Sequence, residues 1–188
     1  MLISGSGTNL QALLDNPDPA VEPAVVISDQ PEAGGLIRAR GAGIPAEVVP
    51  WTPDRDSATA ALCEVLDRYR VEVVVLAGFM RILGSEAIRR FPDRIVNIHP
   101  SLLPSFPGGR AVAAALDHGV KVTGVTIHFV DEQVDHGPIV AQVPVEVLPG
   151  DTVESLHRRI QRAEHLLYPG VVAALCRGTL STGTAVTV

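Results

Sequence analysis

Apolar residues fall in short runs that alternate with stretches of helical period, separated by glycine, proline and small polar residues. Met1-Leu2-Ile3-Ser4 opens the chain as one such run, and Gly5-Ser6-Gly7-Thr8-Asn9 and Leu10-Gln11-Ala12-Leu13-Leu14 follow, which reads as strand, glycine turn and helix. Ala24-Val25-Val26-Ile27-Ser28 predicts a second strand, followed by a helix carrying Leu36, Ile37 and Ala39 that stops at Gly41-Ala42-Gly43. Val48-Val49 predicts a short third strand. Thr52-Pro53 reads as an N-cap with proline at the first helical position, and Leu62, Val65, Leu66 and Tyr69 share one face of the helix that follows. Residues 71–77 form a nearly uninterrupted β-branched run, the pattern of a strand buried on both faces. Residues 94–99 predict another strand, ended by Pro100.

The pattern changes after residue 120. Residues 123–130 and 138–145 predict two strands joined by a polar loop, an antiparallel hairpin at the end of the sheet. Asp151 with Glu154 resembles a capping box, and Val153, Leu156, Ile160, Ala163 and Leu167 recur at helical spacing. Pro169-Gly170 is expected to interrupt this helix, with Val171 to Leu175 continuing as a second one, and the tail from Gly178 to be loosely ordered. Strands alternating with helices imply an α/β fold: a doubly wound, mostly parallel sheet with a C-terminal antiparallel hairpin and a long final helix. Neither a repeat nor an interdomain linker is visible, so residues 1–188 are read as one domain.

Composition narrows the function classes. With 46% apolar residues the chain can bury a core, which excludes disorder. No apolar run approaches the ~18 residues of a membrane span, and no signal-peptide pattern opens the chain. Cys63 and Cys176 cannot build a disulfide framework or a thiolate zinc site and are read as reduced thiols in a cytoplasmic protein. Fifteen Lys and Arg against 21 Asp and Glu give a net charge of −6, so the overall field repels nucleic acid and any phosphate must be held by local geometry.

Three segments carry candidate chemistry. Gly7-Thr8-Asn9 sits between a strand and a helix, where backbone N–H groups can hold an anion; it lacks the third glycine of a dinucleotide fingerprint and the lysine of a P-loop. The plainer alternative is a tight turn with Thr8 or Asn9 as N-cap. Asn97 and His99 lie two apart at the carboxyl end of a predicted parallel strand, so they point to the same side, and an amide donor beside an imidazole suits a carbonyl gaining negative charge. The alternative there is a hydrogen-bonded histidine at a strand end. Residues 131–138 form a turn by composition but collect Asp131, Glu132, Asp135 and His136; an Asp135 close to His99 would favour the imidazolium and fix its tautomer. His128, Asp131, Asp135 and His136 are metal-capable types without a standard ligand spacing, and no metal is expected.

Taken in order, Ile3 to Ala12, Val74 to Leu83, Asn97-Ile98-His99-Pro100-Ser101-Leu102-Leu103-Pro104, Gly124 to Val130 and Val134-Asp135-His136-Gly137-Pro138-Ile139 resemble the phosphoribosylglycinamide formyltransferases (GAR transformylases), a folate-dependent family of purine synthesis. The resemblance runs to about Val172 and favours the functional alternative at each segment. It implies a Rossmann-like fold and formyl transfer from 10-formyltetrahydrofolate to the amino group of glycinamide ribonucleotide. By matching motifs, it implies Asn97, His99 and Asp135 as catalytic, Gly7, Thr8 and Asn9 as phosphate-binding and Glu164 as a ribose contact. Met80, Arg81, Ile82, Leu83 and Val134 to Gly137, with Asn97, Asp135 and His136 among them, would line the folate site. Residues 1–100 would then form the phosphate-binding half and 101–188 the folate-binding and catalytic half. No nucleic-acid or membrane partner is implied, and a homodimer is left open.

Three positions depart from the family pattern. Met1 stands only three residues before Ser4, Arg110 stands where a histidine is usual, and His136 where glycine is common. Related formyl-handling enzymes share parts of the pattern: methionyl-tRNA formyltransferase adds an RNA-binding domain, and formyltetrahydrofolate hydrolase an N-terminal regulatory one. A non-catalytic folate- or nucleotide-binding protein would need none of Asn97, His99 and Asp135.

Overall fold

The computed structural model describes residues 1–180. Strands β1 (Leu2–Ile3), β2 (Val26–Ser28), β3 (Ala46–Val48), β4 (Val74–Leu76), β5 (Ile95–His99), β6 (Val122–Phe129) and β7 (Ile139–Glu146) form one sheet in the order β3-β2-β1-β4-β5-β6-β7. The first five strands are mutually parallel, while β6 runs antiparallel to β5 and β7 antiparallel to β6. This is the expected doubly wound sheet finished by a hairpin.

Alternation along the strands divides the core. Ile3, Val26, Val75, Val96 and Ile98 join one apolar layer with α1 (Thr8–Asp15), α2 (Gly34–Gly41), α5 (Ala111–His118) and α6 (Val153–Cys176). Leu2, Ile27, Val74, Leu76 and Ile95 join the other, with α3 (Arg55–Arg68) and α4 (Ser85–Arg90). Asn97 and His99 share the parity of Ile95, so they extend the second face just where its helices end.

Three helix ends differ from expectation. The N-cap of α3 is Asp54, whose carboxylate accepts from the Asp56 N–H and the Ser57 hydroxyl; Thr52 and Pro53 lie outside the helix because a carboxylate next to the first turn makes the stronger cap. At α6 the capping box is Thr152 with Ser155, while Asp151 takes both forks of Arg159 at 2.7 and 2.9 Å. Pro169 does not break α6, which runs on to Cys176. Leu167, Tyr168, Val171, Val172 and Leu175 are buried on both sides of the proline, and their packing outweighs one missing helical bond. Helices α4 and α5 were not read from the sequence. Of the tail expected to be loose, Leu180 is buried in the first layer, and residues 181–188 lie outside the described residues. Among the described residues no helix is long and apolar enough to cross a membrane.

Candidate active site

β1 and β4 are sheet neighbours whose following helices pack on opposite faces, so the chain diverges at their carboxyl ends and opens a crevice. The glycine loop leaves β1 on one side and the 77–84 segment leaves β4 on the other.

The glycine loop is built by close backbone approach. Gly7 is the N-cap of α1 with φ 73°, and a Cβ there would lie 2.6 Å from the Gly35 Cα, so only glycine fits. Gly35 donates its N–H to the Gly5 carbonyl, and Arg38 donates Nε to the Ser6 carbonyl and Nη1 to Gln11. No side chain caps α1, so neither Thr8 nor Asn9 serves as the cap. The first-turn N–H groups have no intrahelical acceptors, which suits an anion. Asn9 is buried and donates Nδ2 to Glu164 Oε2 at 2.9 Å, leaving its Oδ1 without a partner among the described residues. The expected phosphate loop and ribose contact therefore meet directly, across the packed pair α1 and α6. Burial pushes the Glu164 carboxyl above its ordinary range, and the Asn9 hydrogen bond only partly offsets this.

Beside this loop lies a cleft of about 450 Å³. Met80, Arg81, Ile82, Leu83, Asn97, His99, His128, Asp131, Val134 and Asp135 all line it, so its walls come from both sides of residue 100. Met80, Ile82 and Val134 present exposed apolar side chains at its rim, a surface fit for a flat, largely apolar ligand. Two of the expected folate-site residues do not line the cleft. His136 is exposed and pairs Nδ1 with Asp131 Oδ2 at 2.8 Å, and Gly137 is pressed so close to Phe129 that a Cβ would sit 2.0 Å from its carbonyl oxygen. Arg110 is the N-cap residue of α5 and makes no side-chain cap bond.

Asp135 is the centre of the cluster at the head of the cleft. Its Oδ2 stands 3.3 Å from His99 Nδ1 and accepts the Gly108 N–H at 2.7 Å, while Oδ1 accepts Asn97 Nδ2 at 3.5 Å. His99 Nε2 faces the Phe106 carbonyl at 2.9 Å. Both ring nitrogens of His99 thus meet acceptors, which fixes the plane of the ring. Two backbone strains build this geometry: Asp135 has φ 52° and Phe106 has φ 55°, each aiming a group at His99.

The sequence reading did not place His128 in this cluster. It stands opposite Asn97 across β5 and β6, next to a register shift between Ile127 and His128. Its Nδ1 donates to the Phe129 carbonyl, which turns Nε2 toward Asn97 Nδ2 at 3.1 Å and Asp135 Oδ1 at 3.6 Å. The signal was the register between β5 and β6, because the residue paired with Asn97 must share its face. Among the described residues no group of three or more His, Cys, Asp and Glu side chains could hold a metal ion.

A family model described as formyl transferase matches residues 1–172. The chain belongs to the formyl transferase family. This formyl transferase is 40% identical over 179 residues to phosphoribosylglycinamide formyltransferase of Bacillus subtilis strain 168, covering 92% of this chain and 91% of that protein. It is 44% identical over 188 residues to the trifunctional purine biosynthetic protein adenosine-3 of Bos taurus, covering 97% of this chain but 19% of the bovine protein. It superposes with a TM-score of 0.90 on the crystal structure of glycinamide ribonucleotide transformylase 1 from Symbiobacterium toebii, at 52% identity, covering 94% of this chain and 86% of that one.

The electrostatics of the formyl transferase cluster follow from its packing. Burial alone would raise the Asp135 carboxyl. The neighbouring His128 ring, the Gly108 N–H and the facing His99 outweigh it and hold the carboxyl below its ordinary range. Asp135 is therefore an anion at neutral pH, with imidazoles on two sides.

Proposed function

We propose that this chain transfers a formyl group from 10-formyltetrahydrofolate to the amino group of glycinamide ribonucleotide, giving formylglycinamide ribonucleotide and tetrahydrofolate in purine biosynthesis. The observation that carries the reading is the Asn97–His99–Asp135 cluster at the head of an apolar cleft, beside a helix N-terminus open to an anion. The Bacillus subtilis relative, similar over nearly its whole length and named for this reaction, supports the same reading. Residues 1–188 act as a single formyltransferase domain in the cytoplasm, on two small-molecule substrates, with neither nucleic acid nor a membrane as partner.

The first-turn N–H groups at Thr8 and Asn9, with Gly7 before them, hold the ribonucleotide phosphate, and Glu164 takes the ribose. Met80 to Leu83 with Val134 and Asp135 take the folate, while His136 and Gly137 act by shaping the loop that carries Asp135. The acceptor amine attacks the formyl carbon as its neutral form, and the carbonyl oxygen becomes an oxyanion. Asn97 Nδ2–H, which Asp135 holds only at 3.5 Å, and His99 Nε2–H, exchanging the Phe106 carbonyl for the substrate, donate hydrogen bonds to it. The bond from the formyl carbon to folate N10 then breaks, His99 supplies the proton that N10 needs, and Asp135 takes the proton lost by the amine, through a water where the distance requires one. No step uses a metal.

The direct test follows the absorbance change of the folate product with glycinamide ribonucleotide present and absent. Product formed only with the ribonucleotide is the expected result. Folate turnover without it would make the protein a hydrolase, and no turnover in either case would overturn the reading.

A further inference from the structure

The 77–84 segment forms one wall of the cleft, yet it has no regular secondary structure to hold its backbone. Its ends are tied by the Ala77 N–H to the Leu2 carbonyl at 2.8 Å and the Gly84 N–H to the Thr59 hydroxyl at 2.9 Å, and its middle is held by a buried carboxylate outside the cleft. Asp29 lies one residue past β2, and its side chain is 1% exposed. Its Oδ1 accepts the Ser4 hydroxyl at 2.5 Å, and its Oδ2 accepts Arg81 Nε at 2.7 Å and Gln30 Nε2 at 2.8 Å. The Ser4 oxygen in turn accepts the Met80 N–H at 2.8 Å. A hydroxyl has one proton, so giving it to Asp29 leaves a lone pair for Met80, and the carboxylate sets the direction of the whole relay. Beside it, the Ser4 N–H is bonded to the Gly78 carbonyl at 3.0 Å. A carboxylate this buried tolerates little displacement, because each lost donor leaves charge uncompensated.

We propose that Asp29 is a positioning residue for the folate wall, fixing Met80 through Ser4 and Arg81 through a direct ion pair. This rests on the reading of the cleft as the folate site. Asp29 touches neither the Asn97–His99–Asp135 cluster nor the glycine loop residues Gly7 to Asn9, and its contact on that side stops at Ser4, so its effect falls mainly on one substrate. Burial would raise its carboxyl, but Ser4, Arg81 and Gln30 as donors, and the charge of Arg81, bring it below the ordinary range, so it works as an anion.

The test measures tetrahydrofolate binding by calorimetry, and kcat with both KM values by formyl transfer, in Asp29→Asn, Ser4→Ala and Ser4→Thr. Asp29→Asn keeps size and the acceptor for Ser4 but loses the charge facing Arg81. It is expected to raise the folate Kd and KM roughly tenfold, the scale of one charge-assisted hydrogen bond. The ribonucleotide KM and kcat should stay within about twofold. Ser4→Ala should shift the folate constants in the same direction, and Ser4→Thr should restore them because the hydroxyl returns. Unchanged folate constants in both Asp29→Asn and Ser4→Ala would overturn the proposal. So would a parallel loss in both KM values that follows the melting temperature. A wild-type protein that binds no tetrahydrofolate would instead overturn the folate reading of the cleft, which separates the two failures.

Discussion

Asp135 faces His99 through one oxygen and Asn97 through the other, so removing either Asp135 or His99 leaves the rest misdirected. His99→Ala and Asp135→Ala are each expected to lower turnover by roughly 10²–10⁴ with the fold retained, the range of general acid–base catalysis, as read by steady-state kinetics beside a melting curve. Full activity in either variant would remove it from the mechanism. Asn97 and His99 were legible because strand parity and a following proline leave little freedom in where they point. His128 was not, because its place depends on how β6 registers against β5 across the intervening α5, and β6 carries a register shift against β7 at that point. Nor could spacing show that Asn9 donates to Glu164 rather than standing free beside a phosphate. That contact depends on how α1 and α6 pack.

Among the elements, α6 and β4 announced themselves by period and by β-branched density, and their observed cores agree with the reading. The short helices α4 and α5 did not. α4 has only six residues, and α5 is half alanine, so neither shows a clear apolar stripe. Pro169 misled because propensity is local whereas the burial of Tyr168 and its neighbours is not. Tyr168 is fully buried in α6 and shares its hydroxyl proton between the Leu76 and Val96 carbonyls at 2.8 and 3.2 Å, tying the helix to β4 and β5. Tyr168→Phe should cost about 1–2 kcal/mol, seen as a lower melting temperature with kinetic constants nearly unchanged. At the start of α1, Gly7→Ala forces both a left-handed backbone and a clash with Gly35, a strain of roughly 1–3 kcal/mol. It should raise the KM for the ribonucleotide and spare that for folate. Equal effects on both would argue against a phosphate role for this loop.

On the scale of the molecule, the site is a place of stored cost. Glu164 has its folded pKa raised by burial above the reference value of 4.5. Its contribution to stability is therefore fully present below about pH 4.5 and is lost as the pH rises through the folded value. Glu164→Gln removes that loss, so its melting temperature should exceed that of the wild type at pH 8 by more than at pH 4, while ribonucleotide binding weakens. A melting-temperature difference that does not change between the two pH values would show that the carboxyl carries no such burden. The same contact has a consequence for synthesis. Asn9 and Glu164 are 155 residues apart in the chain. A ribosome makes the first early and the second near the end of the described chain, and at ~5–20 residues per second the interval is on the order of ten to thirty seconds. Throughout that interval the nascent protein has the glycine loop without the α6 carboxylate that Asn9 meets. On the proposed reading, a ribonucleotide spanning the two can therefore act as a folding clasp only on chains that are nearly finished.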